Sequence, residues 1–325
     1  MKAGWYERNG AAREVLTVGE MQMPAPAPGE VLVRLVTSGV NPSDVKGRAG
    51  RPLSGPRVIP HSDGAGVIEA VGEGVDRGRV GERVWIWNGQ WKRAFGTAAE
   101  YIALPAEQAV LLPDNAGFDA GACLGIPALT ALQAVEHQGD VAGRTLLVTG
   151  GAASVGHYIC QIASQRGARV IATASARRAD HARAAGAAEV IDYRNEDIAE
   201  RVGELTGGKG VDGIIDMDLT STAPLLPKGI LAPHGKLVCY GANRPGDIPV
   251  SFTAMLWGSL TLQLFLVYEL TAAQRDAANA ELTRLLEQEK LTHAIGARFP
   301  LDDIAAAHEA VESGDTIGNV VLEIG

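Results

Sequence analysis

The stretch "RTLLVTGGAASVGHYICQIASQRGARVIATAS", residues 144–175, constrains the fold more than any other. It opens on a continuous apolar run, 144–150, of the kind that forms a strand buried on both faces. A turn of small residues follows, then helical spacing over 154–167, then a second apolar run over 168–175. Strand, helix and strand in that order imply a crossover, and so a parallel pair within an α/β sheet. The rhythm continues with a helix at 178–186 ended by Gly186, and strands at 188–193, 211–217 and 235–241. Upstream the reading changes. Short strands at 30–40, 64–75, 80–87 and 96–105 are punctuated by Gly and Pro, which makes a β-rich domain. The tail adds an amphipathic helix over 271–291 and a strand over 318–325. The apolar run 254–270 is broken by Gly258, Ser259 and Gln263. A membrane span needs about 20 apolar residues, so this run is expected to form a pair of buried strand segments.

The turn inside the first unit carries chemistry. Gly151, Ala153 and Gly156 fill the places of the G-x-G-x-x-G dinucleotide fingerprint, with alanine in the middle. Such a turn lets a pyrophosphate approach the backbone. The helix that begins near Ser154 offers it free N–H groups and the positive end of a dipole. The end of the next strand selects the nucleotide. A carboxylate there would grip a ribose 2′-hydroxyl. This chain has Ser175, Arg177 and Arg178 instead, and its first acid, Asp180, lies inside the next helix. Guanidiniums suit a 2′-phosphate, and cations at a helix start are otherwise misplaced. The expected cofactor is therefore NADPH. Tyr193, ending the third strand, is placed for the same end of it.

Composition removes other classes. The net charge of −9 argues against nucleic acid and anionic membranes as partners. The cysteines, Cys123, Cys160 and Cys239, are too few and too scattered for a disulfide framework. The first ten residues hold no apolar signal core. A cytoplasmic setting is expected.

Several motifs occur in one order: "SGVNPSD", "HSDGAGVIEAVGEGV", "GERVW", "GTAAEYIALP", "GIPALTAL", "VTGGAASVG" and "GAAEVIDY". Together they resemble the zinc-free, zeta-crystallin-like quinone oxidoreductase branch of the medium-chain dehydrogenase/reductase superfamily, over essentially the whole chain. The resemblance implies an α/β protein. A β-rich GroES-like catalytic domain, 1–122 and 267–325, would enclose a Rossmann domain with a doubly wound parallel sheet, 123–266. It implies NADPH-dependent hydride transfer to a quinone or another conjugated carbonyl. It also implies a homodimer or homotetramer joined through an edge strand, here "TLQLFLV".

By position, the resemblance sets Asn41 and Thr130 against the nicotinamide half. Ala152, Ala153, Ser154 and Val155 fall on the pyrophosphate, and Ser175, Arg177, Arg178 and Tyr193 around the 2′-phosphate. Gly241, Ala242 and Asn243 would line the nicotinamide half, Leu264, Phe265 and Leu266 would wall the ring, and Asn319 would close the site. Two departures stand out. Ala153 replaces a glycine, and "RAGRPLSGP" (48–56) lacks a tyrosine common beside the nicotinamide. Negative charge would grow on the substrate oxygen during reduction. Asn41 is the first candidate donor to it. Lys46 is the second, with a plain surface lysine as its alternative. Trp85, Trp87 and Trp91 would form an aromatic wall for a flat substrate or simply pack. Two alternatives remain open: an enoyl-thioester, acryloyl-type or alkenal double-bond reductase using "KGRAGR" (46–51) for a phosphorylated carrier, and an NADPH-binding protein with a structural or regulatory role.

"IPHSDGAG" (59–66) raises the question of a metal. Zinc takes Cys, His and carboxylate ligands. The turn after the "SGV" strand holds Asn41 and Pro42, where a ligand cysteine would stand in the zinc-dependent relatives, and no cysteine cluster follows. No metal is expected. His61 then reads as a turn histidine bonded to backbone, or as a proton relay, and Asp63 as a turn acceptor before Gly64.

Overall fold

The computed structural model describes residues 1–244 and 246–325. The chain forms two compact units, one from Met1–Pro127 with Asn279–Gly325 and the other from Ala128–Ala278. The sequence reading sets its divisions at 122/123 and 266/267 instead.

The first unit begins with strands β1 (Lys2–Trp5), β2 (Thr17–Glu20), β3 (Glu30–Val40), β4 (Asp63–Val71), β5 (Arg83–Ile86), β6 (Tyr101–Pro105) and β7 (Ala109–Leu111). Helices α1 (Ala12–Val15) and α2 (Pro42–Gly50) interrupt them, and α3 (Phe118–Gly121) follows. The second unit runs α4 (Leu129–Gln138), β8 (Thr145–Val148), α5 (Ser154–Gln165), β9 (Arg169–Ala174), α6 (Ala179–Ala184) and β10 (Glu189–Asp192). It continues α7 (Ile198–Thr206), β11 (Val211–Asp216), α8 (Leu219–Thr222), β12 (Leu231–Cys239), α9 (Phe252–Trp257) and β13 (Thr261–Leu264). Helix α10 (Ala272–Glu287) leads back, and β14 (Ile295–Pro300), α11 (Ile304–Ser313) and β15 (Asn319–Glu323) complete the first unit.

The second unit is a parallel sheet of order β10-β9-β8-β11-β12-β13. Its inner strands are the apolar runs read from the sequence. Leu146, Leu147, Val148, Val170 and Ile171 have no solvent exposure, as a strand covered on both faces requires. Strand order turns back beside β8, the place where open α/β sheets bind ligands at the carboxyl ends of their strands. The first unit holds a sheet of order β14-β15-β3-β4-β5-β7, with β6 also on β3. Strand β15 pairs antiparallel with β3, Val320 opposite Val40.

One expectation fails. The run 254–270 is not a pair of buried strands. Its first part lies in helix α9, started by the Ser251 hydroxyl accepting from the Ala254 N–H. Phe252, Leu256 and Trp257 stand exposed on it, and only Thr261–Leu264 is strand, at the sheet edge. A second reading narrows. Trp85 is wholly buried in β5 and packs as core. Among the described residues no helix is long and apolar enough to cross a membrane.

Candidate active site

The nucleotide turn is shaped by crowding. Gly150 sits at φ +67°, and a Cβ on it would fall 2.1 Å from the Met217 sulfur. A Cβ on Gly156 would fall 2.1 Å from the Gly150 carbonyl oxygen, so helix α5 approaches the turn only because that residue is glycine. Ala153, just before α5, has φ −83° and ψ 167°. That is extended backbone open to any residue, so alanine in the middle place of the fingerprint carries no strain. The Gly150 N–H donates to Thr173 Oγ1 at 2.9 Å, tying the turn to the end of β9.

A cavity of about 280 Å³ opens at these strand ends. Of the residues read as cofactor contacts, Ala152, Ala153, Ser175, Arg178, Tyr193 and Asn243 line it. Ser154 and Val155 begin α5 beside it. Arg177 is exposed and does not line it; neither do Thr130, Gly241, Ala242, Leu264, Phe265 or Leu266. Thr130 is buried on α4, and its hydroxyl has no hydrogen-bond partner among the described residues. Leu264 and Leu266 are exposed, and the Phe265 ring lies 5.1 Å from that of His137.

The cavity also has a polar wall that the sequence reading missed. Asp216, at the end of β11, accepts from Thr149 Oγ1 at 2.7 Å and Thr222 Oγ1 at 2.8 Å. Burial pushes its carboxyl above the usual range. Asp218 accepts from the Asn243 N–H at 2.8 Å, from Asn243 Nδ2 at 2.9 Å and from Ser221 Oγ at 2.5 Å. Burial pulls Asp218 up, yet these hydrogen bonds together bring it below the usual carboxylate value. The signal available was the pair of acids two apart at a strand end, "DMD".

The remaining candidates lie in the first unit. Asn41 is buried at the start of α2, and its Nδ2 donates to Asp63 Oδ2 at 2.9 Å. The Ile126 N–H donates to the same oxygen at 3.0 Å. Asp63 is therefore more than a turn acceptor. Burial, and then Asp44, push its carboxyl well above the usual range. Lys46 is exposed on α2. The Asn319 amide donates to the Ala294 carbonyl at 3.1 Å.

His61 is bonded to side chains, not to backbone as expected. It is fully buried at φ +77°, a left-handed conformation uncommon outside glycine. Thr97 Oγ1 donates to the Asp63 carbonyl at 2.6 Å, so its single hydrogen is spent. It must then accept from Ser38 Oγ at 2.8 Å, and Ser38 must accept from His61 Nδ1–H at 2.9 Å. His61 Nε2 is left as acceptor, and His308 Nε2–H on α11 donates to it at 2.9 Å. One carbonyl thereby fixes opposite tautomers on two rings.

Fold and cavity define a medium-chain dehydrogenase/reductase. The family model for the alcohol dehydrogenase GroES-like domain matches residues 27–114, and that for zinc-binding dehydrogenase matches 185–322. A quinone oxidoreductase from Sus scrofa is 31% identical, over 93% of this chain and 92% of its own. One from Pseudomonas aeruginosa is 34% identical over 95% of both. A mycobacterial protein solved in complex with NADPH is 31% identical, with a TM-score of 0.86 over 100% of both chains. The chain belongs to the quinone oxidoreductase family of this superfamily, and it is an oxidoreductase. Among the described residues no group of three or more His, Cys, Asp or Glu side chains is placed to hold a metal ion.

Proposed function

We propose that the chain reduces a quinone, or another small conjugated carbonyl, with NADPH and without zinc. The observation that supports this reading is at the end of β9, where Ser175 and Arg178 line the cavity and no carboxylate does, the cavity's acids Asp216 and Asp218 standing at the end of β11. When bound, NADPH supplies the hydride. The N-terminal N–H groups of α5 hold the pyrophosphate. Arg178 pairs with the 2′-phosphate through charge-assisted hydrogen bonds. The Asp218 clamp on Asn243 keeps residues 241–243 in place. The Thr130 hydroxyl, buried and without a hydrogen-bond partner among the described residues, is the proposed donor to the nicotinamide half.

Asn41 is the proposed donor to the substrate oxygen. Among the described residues Asp63 takes one hydrogen of its NH₂, which leaves the other to meet growing negative charge. Lys46, exposed on α2, is the second candidate. Two features favour chemistry without zinc. His61 is engaged by Ser38 and His308, and the three cysteines are buried with their thiols pushed up by burial. The proposed assembly is a homodimer or homotetramer through β13, in the cytoplasm.

The test is loss of reduced-nicotinamide absorbance when protein, NADPH and phenanthrenequinone are mixed, with NADH and a simple enone in parallel. Binding of NADPH without turnover of either acceptor would overturn the reductase reading and favour a purely structural or regulatory role.

A further inference from the structure

We propose that Asp63 is a positioning residue, which fixes the direction in which the Asn41 amide presents its NH₂. The inference rests on Asn41 being the donor to substrate. An asparagine amide is nearly symmetric in shape, and turning it by half a revolution replaces a donor with an acceptor. A donor that spends half its time reversed is a poor one, so something must hold it.

The structure shows what holds it. Asp63 Oδ2 receives the Ile126 N–H at 3.0 Å, so that atom is an acceptor. Asn41 Nδ2 meets the same atom at 2.9 Å. Only the nitrogen end of the amide fits there; the oxygen end would face another oxygen. The backbone of Asn41 is fixed as well, its N–H donating to Asp44 Oδ2 at 2.8 Å at the start of α2.

The surroundings are shaped to let Asp63 reach this position. Asp63 is the first residue of β4 and lies opposite Gly39 on β3. A Cβ on Gly39 would fall 3.1 Å from the Asp63 Cβ and 2.1 Å from the Ala122 carbonyl oxygen. A Cβ on Gly125 would fall 2.3 Å from Asp63 Oδ1. Gly125 leaves room for the carboxylate, and Gly39 for the Asp63 Cβ and the Ala122 carbonyl. Its other oxygen, Oδ1, is buried without a hydrogen-bond partner among the described residues. Leaving that oxygen unsatisfied is costly, which indicates that the arrangement serves Oδ2. The Asp63 carbonyl is anchored in turn by Thr97 Oγ1 at 2.6 Å.

The geometry separates orientation from charge. In Asp63→Asn the Ile126 N–H still demands an oxygen at the Oδ2 place, so the new amide sets its nitrogen at the Oδ1 place. Asn41 keeps its direction, and kcat with NADPH and phenanthrenequinone should stay within about threefold of wild type. Asp63→Leu has a similar side-chain size but no acceptor. Its kcat should fall about 10- to 100-fold, a part of what deleting a preorganised donor costs. The Kd for NADPH should change less than twofold.

Asn41→Ala alone should be at least as slow as Asp63→Leu. The double variant should be no slower than Asn41→Ala, because Asp63 acts through Asn41. A slow Asp63→Asn that still binds NADPH would assign the effect to charge and overturn the inference, and this holds even where the leucine variant fails to fold. Additive losses in the double variant would overturn it too. If Asn41→Ala runs at the wild-type rate, the donor reading of Asn41 falls and takes this inference with it. If Asn41→Ala is slow and Asp63→Leu is not, only the role of Asp63 is lost.

Discussion

At the scale of single residues, the preference between nucleotides and the response to pH rest on different side chains. Arg178 lines the nucleotide cavity and Arg177 does not. Arg178→Ala should raise the Kd for NADPH by about tenfold or more and leave NADH nearly unchanged, since a charge-assisted pair is worth about 1.5–3 kcal/mol. Arg177→Ala should do little to either. Fluorescence titration with both nucleotides reads the contrast, and equal losses would defeat the 2′-phosphate assignment.

His308 responds to protons instead. Burial, and then Arg48, hold its ring at about 3, while burial and then His308 hold His61 well below the usual imidazole value. Below about pH 6.5 the unfolded chain binds protons that the folded chain refuses. Their contribution to stability is therefore full above that pH and is lost as pH falls toward 3. Asp44, raised by burial to about 7, and Asp63 act in the other direction, costing stability as pH rises from 3.8. A comparison with His308→Gln cancels these acids. Between pH 6.5 and 5 wild type should lose about 2 kcal/mol more than the variant, as read from urea midpoints.

At the scale of elements, legibility followed how local the cause was. Helix α5 is Ser154–Gln165 against a reading of 154–167, because glycine turns and apolar periodicity lie within the segment itself. Of the six cavity residues named in advance, Ala153, Ser175, Arg178 and Tyr193 came from the βαβ pattern and the strand after it, and Ala152 and Asn243 from the family resemblance. The wall of Asp216 and Asp218 was missed, since nothing in "DMD" reveals that Thr149, Thr222 and Asn243 converge on it. His308 was missed for the same reason, as it lies 247 residues from His61.

Helix α9 failed differently. A continuous apolar run does not tell strand from helix, and the Ser251 cap, just outside the run, decided it. Phe252, Leu256 and Trp257 then point outward, Trp257 at 83% and Phe252 at 74% exposure, in the segment leading into the edge strand β13, while Ala254 and Met255 pack on the core. Apolar groups on this scale next to an open sheet edge suit a second copy of the chain. On the proposed assembly through β13, the double change Phe252→Glu with Trp257→Glu should shift the protein to monomer in sedimentation velocity while the folded circular dichroism spectrum is kept. An unchanged sedimentation coefficient, if wild type is oligomeric, would place the interface elsewhere.

At the scale of the whole molecule, helix α10 belongs to both units, because the division falls at Ala278 and Asn279 inside it. The family resemblance ended the inserted domain earlier, at 266. Leu282, Leu285 and Leu286 are buried on the later half of the helix. Asn279→Pro, in the interior of α10, should lower the unfolding free energy by about 3 kcal/mol, seen as an earlier denaturant midpoint.

Strand β15 bears on how the chain is made. It lies between β14 and β3, so the sheet of the first unit cannot close until residues 319–323 exist. On the ribosome, the domain begun first is finished last. While the parallel sheet of the second unit is synthesised and can already fold, the Thr37–Val40 end of β3 waits without its neighbour, an open edge of the kind that recruits stray strands. Nascent chains stalled before residue 319 should therefore bind a holdase chaperone, and those extended past residue 323 and clear of the exit tunnel should release it.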